Sequence, residues 1–328
     1  MANFAPPQRR EAFEVAVVCA LPLEYDAATL IFDEFWDEDG DRFGKAQNDP
    51  NSYTTGRMGR HNVVLALLPN MGKVGSAGAA AALRSSYTGL KIAILAGVCG
   101  GVPSHGGEVN GIVLGDVVVS KRVVQFDLGR QYPDKFTRKD TVDDNLGRAS
   151  LDIRSLIGIF ETEFGLGRLE DRALDVLDSI QQKAIVKRRR TRDSETQLPR
   201  LHVGNVASGD TVMKSGEHRD RLAKEHNIIA FEMEGAGMWD QILCVVVKGV
   251  CDYADSHKNK RWQPYAAITS AAATRAILDR YIQQDKPIAV DEGSPGGRHT
   301  IKFNNTGSGT QNNNTGSGKQ YVAESMSF

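Results

Sequence analysis

The feature that most constrains the fold is a series of short apolar runs, each followed by a turn-forming or acidic segment. Four of them are nearly continuous and rich in β-branched side chains: residues 13–20, 61–68, 91–96 and 242–250. Runs of this length are typical of strands buried on both faces of a parallel sheet. Because helical patterns separate them, the alternation predicts one α/β domain over residues 13–284.

The segments that flank this predicted domain are polar. Residues 1–12 contain prolines and no apolar run, which predicts a flexible N-terminus. Residues 285–328 combine a Gly/Pro/Ser linker with a repeat, Asn304–Gly309 and Asn313–Gly318, each followed by a glutamine. This composition is typical of a disordered linker, although Asn/Gln repeats also stack into cross-β ladders.

Composition narrows the class of protein. A net charge of −1 over 328 residues does not indicate a nucleic-acid-binding protein, and no run is long enough to span a membrane. The four cysteines (Cys19, Cys99, Cys244 and Cys251) lack CxxC spacing, and three lie in apolar runs. They indicate reduced, buried thiols, so we expect a cytoplasmic protein.

Carboxylates follow three of the predicted strands. Glu232 and Glu234 end an apolar run that leads into a small-residue helix, Glu24 follows the first strand, and Asp252 follows the last. If the strand continued through Glu234, the two glutamates would share one face. The structural alternatives are that these carboxylates are simply exposed at the surface or that they interact favourably with a helix dipole. Because carboxylates recur after several strands, we favour a shared cleft at the strand ends, which is where open α/β sheets bind ligands.

A glycine-rich segment, Gly97–Val102, follows the third strand. We interpret it as a turn where a ligand approaches the backbone, with Val98 and Gly100 as contact residues. Gly72, Gly75 and Gly78 open another small-residue helix. Their GxxGxxG spacing is not the dinucleotide-binding fingerprint, so close helix packing is the better explanation. We expect no cofactor and no metal ion.

Seven short motifs, in one order along residues 13–282, resemble the nucleoside phosphorylase and nucleosidase superfamily, especially its methylthioadenosine/S-adenosylhomocysteine nucleosidase branch. The motifs are Ala20-Leu-Pro-Leu-Glu24, Met71-Gly-Lys-Val74, Gly97-Val-Cys-Gly-Gly101, Leu114-Gly-Asp-Val-Val-Val-Ser120, Ser208-Gly-Asp210, Phe231-Glu-Met-Glu-Gly235 and Val250-Cys-Asp252. The resemblance implies a three-layer α/β/α fold around a central mixed sheet, assembled as a homo-oligomer.

The resemblance also implies roles for individual residues. Glu24 matches the carboxylate that activates the attacking water. Glu234, with Met233 beside it, matches the pair that binds the ribose and its hydroxyl groups. Asp252 matches the acid that shares a proton with purine N7. An acid at the base and anions near the sugar would both stabilise the charges that develop as an N-glycosidic bond breaks.

Three positions depart from the family pattern. Leu95 and Val98 stand where phosphorylases carry a phosphate-binding arginine and serine, so water is the favoured nucleophile. Lys248 stands where nucleosidases usually carry an arginine. The lysine keeps the positive charge but lacks the forked geometry of the guanidinium group.

The basic residues suggest the substrate. Lys258, Lys260 and Arg261 follow Asp252, and Lys183 precedes a run over residues 187–192. A solvated face is the simple explanation, but arginine clusters also bind phosphates. We therefore expect an adenine nucleotide such as ATP or dATP, cleaved to adenine and a ribose phosphate. A phosphorylase and a methylthioadenosine nucleosidase of salvage remain alternatives.

The repeat tail suggests a biological context. Residues 303–321 resemble the motifs that join effector domains to NOD-like receptors of filamentous fungi, some of which template amyloid signalling. Two hypotheses follow. The chain is an active purine nucleosidase acting as an immune or cell-death effector, or it is a domain that binds nucleotides without turnover.

Overall fold

The computed structural model describes residues 5–38, 40–103, 111–141, 143–187, 198–281, 312–314 and 320–322. The chain divides into two units, Met1–Ile282 and Gln283–Phe328. No helix of the described residues is long and apolar enough to cross a membrane.

Strands and helices alternate through most of the first unit. Its strands are Val15–Cys19 (β1), Glu34–Phe35 (β2), Tyr53–Met58 (β3), His61–Leu67 (β4), Ile92–Gly101 (β5), Val117–Gln125 (β6), Gly129–Gln131 (β7), Phe136–Arg138 (β8), Leu201–Ser208 (β9), Ile228–Glu232 (β10) and Cys244–Asp252 (β11). Its α-helices are Pro22–Thr29 (α1), Lys73–Ser86 (α2), Leu151–Phe160 (α3), Glu163–Lys187 (α4), Gly216–His226 (α5), Gly235–Trp239 (α6) and Gln263–Arg280 (α7).

The central sheet is mixed, with the strand order β10-β9-β6-β11-β5-β1-β4-β3-β2. Strands β4, β1, β5 and β11 are parallel neighbours, whereas β6 runs antiparallel to β11. At the other edge, β3 runs antiparallel to both β4 and β2. The α/β class and the central mixed sheet predicted from the sequence are confirmed.

Two hydrophobic cores cover the two faces of the sheet. Val15 and Val17 of β1 pack with residues of α1, α4 and α7, whereas Ala16 and Val18 pack with residues of α2 and α6. Because neighbouring strand residues point to opposite faces, nearly continuous apolar strands bury both sides. The four cysteines are free and buried, as predicted.

The sheet closes on itself at one end. Strand β10 pairs with β9 and also runs antiparallel to the end of β5, with Phe231 opposite Gly100 and Ala230 opposite Gly101. Strands β10, β9, β6, β11 and β5 therefore form a closed circuit. This closure brings the end of β10 next to the ends of β5 and β11.

The prediction of a glycine turn over residues 97–102 is wrong. Strand β5 continues to Gly101, and its pairing with β11 places Lys248 opposite Gly97 and Val250 opposite Cys99. These glycines do not reverse the chain. They leave room for side chains that approach the strand closely, as the site below shows.

In the second unit, the short strands Asn312–Asn314 (β12) and Gln320–Val322 (β13) pair antiparallel, with Asn313 opposite Tyr321. The remaining predictions for residues 1–4, 104–110, 188–197, 282–311 and the rest of the tail lie outside the described residues, as does the side chain of Lys183.

Candidate functional site

Glu24 is held at the start of α1 by backbone N–H groups from two directions. Its Oε2 accepts hydrogen bonds from the N–H of Ala20 and of Leu21, at 2.8 and 2.9 Å. Its Oε1 accepts a 2.7 Å hydrogen bond from the N–H of Val98 in β5. A Cβ on Gly97, whose φ is +155°, would lie only 2.2 Å from Oε1. A glycine is therefore required for this carboxylate to reach β5.

Lys248 of β11 lies between two of the predicted site carboxylates. Its Nζ is 3.5 Å from Glu234 Oε2 and 4.0 Å from Glu24 Oε1, and its side chain is 1% exposed. Burial opposes the charged amine, but the nearby Glu24 and Glu234 carboxylates outweigh it and raise the pKa of Lys248. The lysine therefore remains an ammonium group. It lies between Glu24, the candidate water-activating residue, and Glu234, the candidate ribose-binding residue.

Glu232 and Glu234 have separate structural roles. Glu232 ends β10 and accepts hydrogen bonds from the N–H of Glu234 and Gly235, at 3.0 and 2.9 Å. Glu234 lies beyond the strand, at the start of α6, so the prediction based on strand alternation is wrong. Burial, followed by repulsion from Glu234, raises the pKa of Glu232 to about 6. Glu232 thus fixes the backbone that carries Glu234.

Asp252, the last residue of β11, is buried against the end of β5. Its Oδ1 accepts a 2.9 Å hydrogen bond from Ala254 N–H, and its Oδ2 lies 3.1 Å from Lys258 Nζ. A Cβ on Gly100 would lie 2.9 Å from Oδ1. Ala254 has a φ of +52°, an unusual backbone conformation for a residue with a side chain. The tight turn after β11 therefore shapes the surroundings of this carboxylate.

Helix α7 supports the strands behind the site. Ser270 Oγ donates a 2.8 Å hydrogen bond to the carbonyl of Val247 and accepts one of 3.0 Å from Gly97 N–H. One hydroxyl group therefore connects β5, next to Glu24, with β11, next to Lys248. This support fixes the relative position of the two strands.

The structure brings together Glu24, Val98, Lys248 and Glu234, and it pairs Lys258 with Asp252. Met233 is half-buried between Glu232 and Glu234. Lys260 and Arg261 are exposed on the loop that follows β11. The basic run over residues 188–192 lies outside the described residues.

Sequence reasoning missed a second polar cluster, at the start of α2. Lys73 Nζ lies 2.6 Å from Asp127 Oδ1 and 3.7 Å from Asp210 Oδ2. Asp210 Oδ1 also accepts a 2.8 Å hydrogen bond from Lys73 N–H. Burial opposes ionisation of Asp127, but Lys73 and the N–H of Asp210 outweigh it and lower the pKa of Asp127. Two of these three residues, Lys73 and Asp210, lie in the motifs Met71–Val74 and Ser208–Asp210. The charged residue in each motif was the sequence signal that could have predicted the cluster.

A cavity of about 1140 Å³ adjoins this cluster at Asp127. It is bounded by the β7–β8 hairpin, residues 211–215 and α5, and its lining carries both acidic and basic side chains. Among the described residues, no group of three or more His, Cys, Asp or Glu side chains is arranged to hold a metal ion.

Comparison with known proteins identifies the family. The model of the phosphorylase superfamily matches residues 14–283, and the model described as the Sigma domain on NACHT-NTPases matches residues 296–328. A nucleotide-binding leucine-rich repeat (NLR)-like protein of Hyaloscypha variabilis is 31% identical over 83% of this chain. The chain spans only 30% of that relative's length.

Smaller relatives match over nearly their whole length. The 5'-methylthioadenosine/S-adenosylhomocysteine nucleosidase of Mycobacterium bovis is 25% identical, covering 81% of this chain and 96% of the relative. The crystal structure of the corresponding Helicobacter pylori nucleosidase gives a TM-score of 0.57 at 19% identity, covering 82% of this chain and 99% of its own. The futalosine hydrolase of H. pylori gives a TM-score of 0.56 at 19% identity, covering 82% and 98%. These structures share the fold, and the residues matched by the family model span most of this chain. The chain therefore belongs to the phosphorylase superfamily.

Proposed function

We propose that the chain is a purine nucleosidase that hydrolyses the N-glycosidic bond of an adenine nucleoside or nucleotide. The observation that carries the proposal is the arrangement of three buried carboxylates, two at the helix starts that follow β1 and β10 and one at the end of β11. Glu24 and Glu234 share Lys248, and Asp252 lies at the end of the same strand, β11. The mycobacterial relative, whose name describes a nucleosidase, supports this choice.

Each carboxylate has a distinct role in the proposed reaction. Glu24 orients a water molecule and takes its proton, as three backbone N–H groups fix the carboxylate. Glu234 accepts hydrogen bonds from the ribose hydroxyl groups, while the Asp252 end of the site faces the purine. The negative side chains stabilise the oxocarbenium-like ribose as the bond to the base breaks.

Hydrolysis is favoured over phosphorolysis. The places of the phosphorylases' phosphate-binding arginine and serine hold Leu95 and Val98, and Leu95 is fully buried. The N–H of Val98 donates to Glu24 and so is not available to phosphate. For these two reasons we rank a phosphorylase second, after a hydrolase.

For the substrate, we propose ATP or dATP, cleaved to adenine and the ribose triphosphate. The support is the exposed basic loop after β11, with Lys260 and Arg261 available to bind phosphate groups. A methylthioadenosine nucleosidase would not need these cations. Nucleotide cleavage that survives neutralisation of both residues would contradict this assignment.

We further propose that nucleotide depletion serves an immune or cell-death response, with the chain acting as the effector of a NOD-like receptor. The NLR-like relative and the Sigma-domain match in the tail support this context. The repeat over residues 303–321 is the proposed contact with a receptor or an amyloid-forming partner, and the domain itself is proposed to form a homo-oligomer.

The deciding experiment incubates the purified chain, without phosphate, with ATP, dATP, adenosine, methylthioadenosine and inosine, followed by chromatography of the products. We expect free adenine from ATP and dATP, and none from Glu24→Ala. Adenine from unphosphorylated nucleosides alone would favour a salvage enzyme. Release that requires added phosphate would favour a phosphorylase. Nucleotide binding without any release of base would favour the non-catalytic domain.

A further inference from the structure

Four basic side chains surround a small open pocket between β6 and the start of α3. The pocket has a volume of about 200 Å³ and is lined by Lys121, Arg122, Arg148, Ala149 and Arg154. Among the residues that the structure describes, no acidic side chain lines it. Because like charges at short range repel one another, such a cluster favours the binding of an anion.

An irregularity in β6 directs two consecutive side chains to the pocket. Ser120 pairs with Gly204 of β9 and Arg122 pairs with Asn205, so the register of the two strands skips Lys121. In a regular strand, Lys121 and Arg122 would point to opposite faces. Here both are exposed and both line the pocket. A bulge re-aims side chains in this way.

The other two cations come from α3 and from the segment that leads into it. The carbonyl of Gly147 accepts a 2.9 Å hydrogen bond from Trp239 Nε1, which fixes the backbone next to Arg148. Arg154 lies near the start of α3, after the N-cap residue Ser150. Three separate segments of the chain therefore bring their cations to one place.

Most of these cations have no acidic partner in the described part of the chain. Lys121 Nζ lies 2.5 Å from Glu161 Oε1. Arg122, Arg148 and Arg154 form no ion pair and no side-chain hydrogen bond with any described residue, and all three are exposed. Their guanidinium groups are therefore accessible to an anion from solvent.

We infer that this pocket binds the oligophosphate group of a small molecule, such as a triphosphate. Guanidinium forks match pairs of phosphate oxygens, and a chain of phosphates carries enough negative charge to neutralise several cations. At about 200 Å³, the pocket is smaller than the roughly 300–1,000 Å³ typical of sites that enclose larger ligands, so it suits a short phosphate chain. It shares no residue with the candidate catalytic site, and the inference does not rest on the proposed nucleosidase function.

The test titrates the full chain with inorganic triphosphate by calorimetry, at about 0.15 M ionic strength to screen weak surface contacts. We expect saturable binding by the wild type. Arg148→Gln and Arg154→Gln are each expected to weaken it by about 10- to 100-fold, the usual effect of losing a hydrogen bond to a charged group. Arg148→Lys keeps the charge but not the fork, so we expect an intermediate loss. Thermal denaturation without ligand checks that these exposed substitutions leave the protein folded.

Two controls test where the probe binds and what is recognised. Lys260→Gln/Arg261→Gln removes two exposed cations from the loop after β11, where the phosphates of the proposed substrate would bind. We expect this variant to keep the wild-type affinity for triphosphate. Citrate, a compact anion of similar charge, is expected to bind more weakly, because a terminal phosphate presents three acceptor oxygens and a carboxylate two.

Titration with ATP distinguishes a nucleotide from free triphosphate as the source of the phosphate chain. It is done in Glu24→Ala, which stops the proposed turnover. If nucleotides use the pocket, adding Arg148→Gln/Arg154→Gln lowers by one the number of ATP molecules bound per chain. If only the free chain fits, that number does not change. Either result supports an oligophosphate site, provided that inorganic triphosphate binds as expected.

Four results would overturn the inference. They are no binding of triphosphate by the wild type, unchanged binding in both Arg→Gln variants, loss of binding in Lys260→Gln/Arg261→Gln, and equal affinities for citrate and triphosphate. Failure of the proposed function is recognised separately, because none of these measurements depends on the release of a base.

Discussion

The Nζ of Lys248 lies 3.5 Å from Oε2 of Glu234, and both side chains are almost completely shielded from solvent. Glu24 lies 4.0 Å from the same ammonium group. A buried cation between two carboxylates has no water to replace a lost partner, so its removal leaves uncompensated negative charge. Lys248 therefore matters for folding as well as for the proposed reaction.

Lys248→Met is expected to lower the free energy of unfolding by about 3–5 kcal/mol, the usual cost of removing one partner of a buried ion pair. Urea denaturation at pH 7 measures the change. Lys224→Met, the same substitution at an exposed position, is expected to change stability little. Similar stabilities for the two variants would contradict the buried charge network.

Gly97→Ala is expected to abolish base release. The new Cβ would lie 2.2 Å from Glu24 Oε1, and the backbone bond from Val98 to Glu24 depends on this approach. Gly78→Ala is the matched control, because its Cβ would meet nothing within 4 Å and Gly78 lies within α2. We expect the control to keep full activity and to gain about 0.5–1 kcal/mol of stability. Full activity in Gly97→Ala, measured by adenine release, would show that Glu24 does not need its present position.

Glu232 makes stability depend on pH in a window set by its raised pKa of about 6, against an ordinary value of 4.5. Between these values the folded protein binds more protons than the unfolded chain, so stability falls as the pH rises. The fall approaches about 2 kcal/mol, because one pKa unit corresponds to about 1.4 kcal/mol. Glu232→Gln is expected to flatten this part of the profile, as measured by urea denaturation from pH 4 to 7. An unchanged slope in the variant would assign the dependence to other groups.

The four thiols are expected to resist modification while the protein is folded. All are buried, and burial raises the pKa of Cys244 to about 12 and raises those of Cys19, Cys99 and Cys251 as well. Since the thiolate is the reactive form, a disulfide reagent at pH 8 should label none of them in the native protein and four in urea. Rapid labelling of any thiol without urea would indicate local opening.

The sequence was sufficient to predict the sheet because its strands are buried on both faces. The apolar runs at residues 13–20 and 242–250 identify β1 and β11, since few other structures bury every successive residue. The positions of Glu24, shortly after β1, and of Asp252, at the end of β11, followed from the same runs. The motif resemblance then assigned the roles that still await experiment.

The details that sequence reasoning could not supply depend on tertiary contacts between distant segments. Gly97–Gly101 has the composition of a turn, yet it continues β5 because β10 and β11 pair with it. Lys258 has the composition of a solvated loop, yet Arg219, from a different helix, holds that loop beside Asp252. Neither contact has a signal in local sequence periodicity.

Gly100 pairs with Phe231 on one side and with Asp252 on the other. A single residue of β5 thus separates the strand that leads to the ribose-binding candidate from the strand that carries the base-end carboxylate. In the proposed site, the distance between sugar and base recognition is therefore set by the spacing of hydrogen-bonded strands. On this assignment, a change of substrate would require changes in the surrounding loops rather than in the strands.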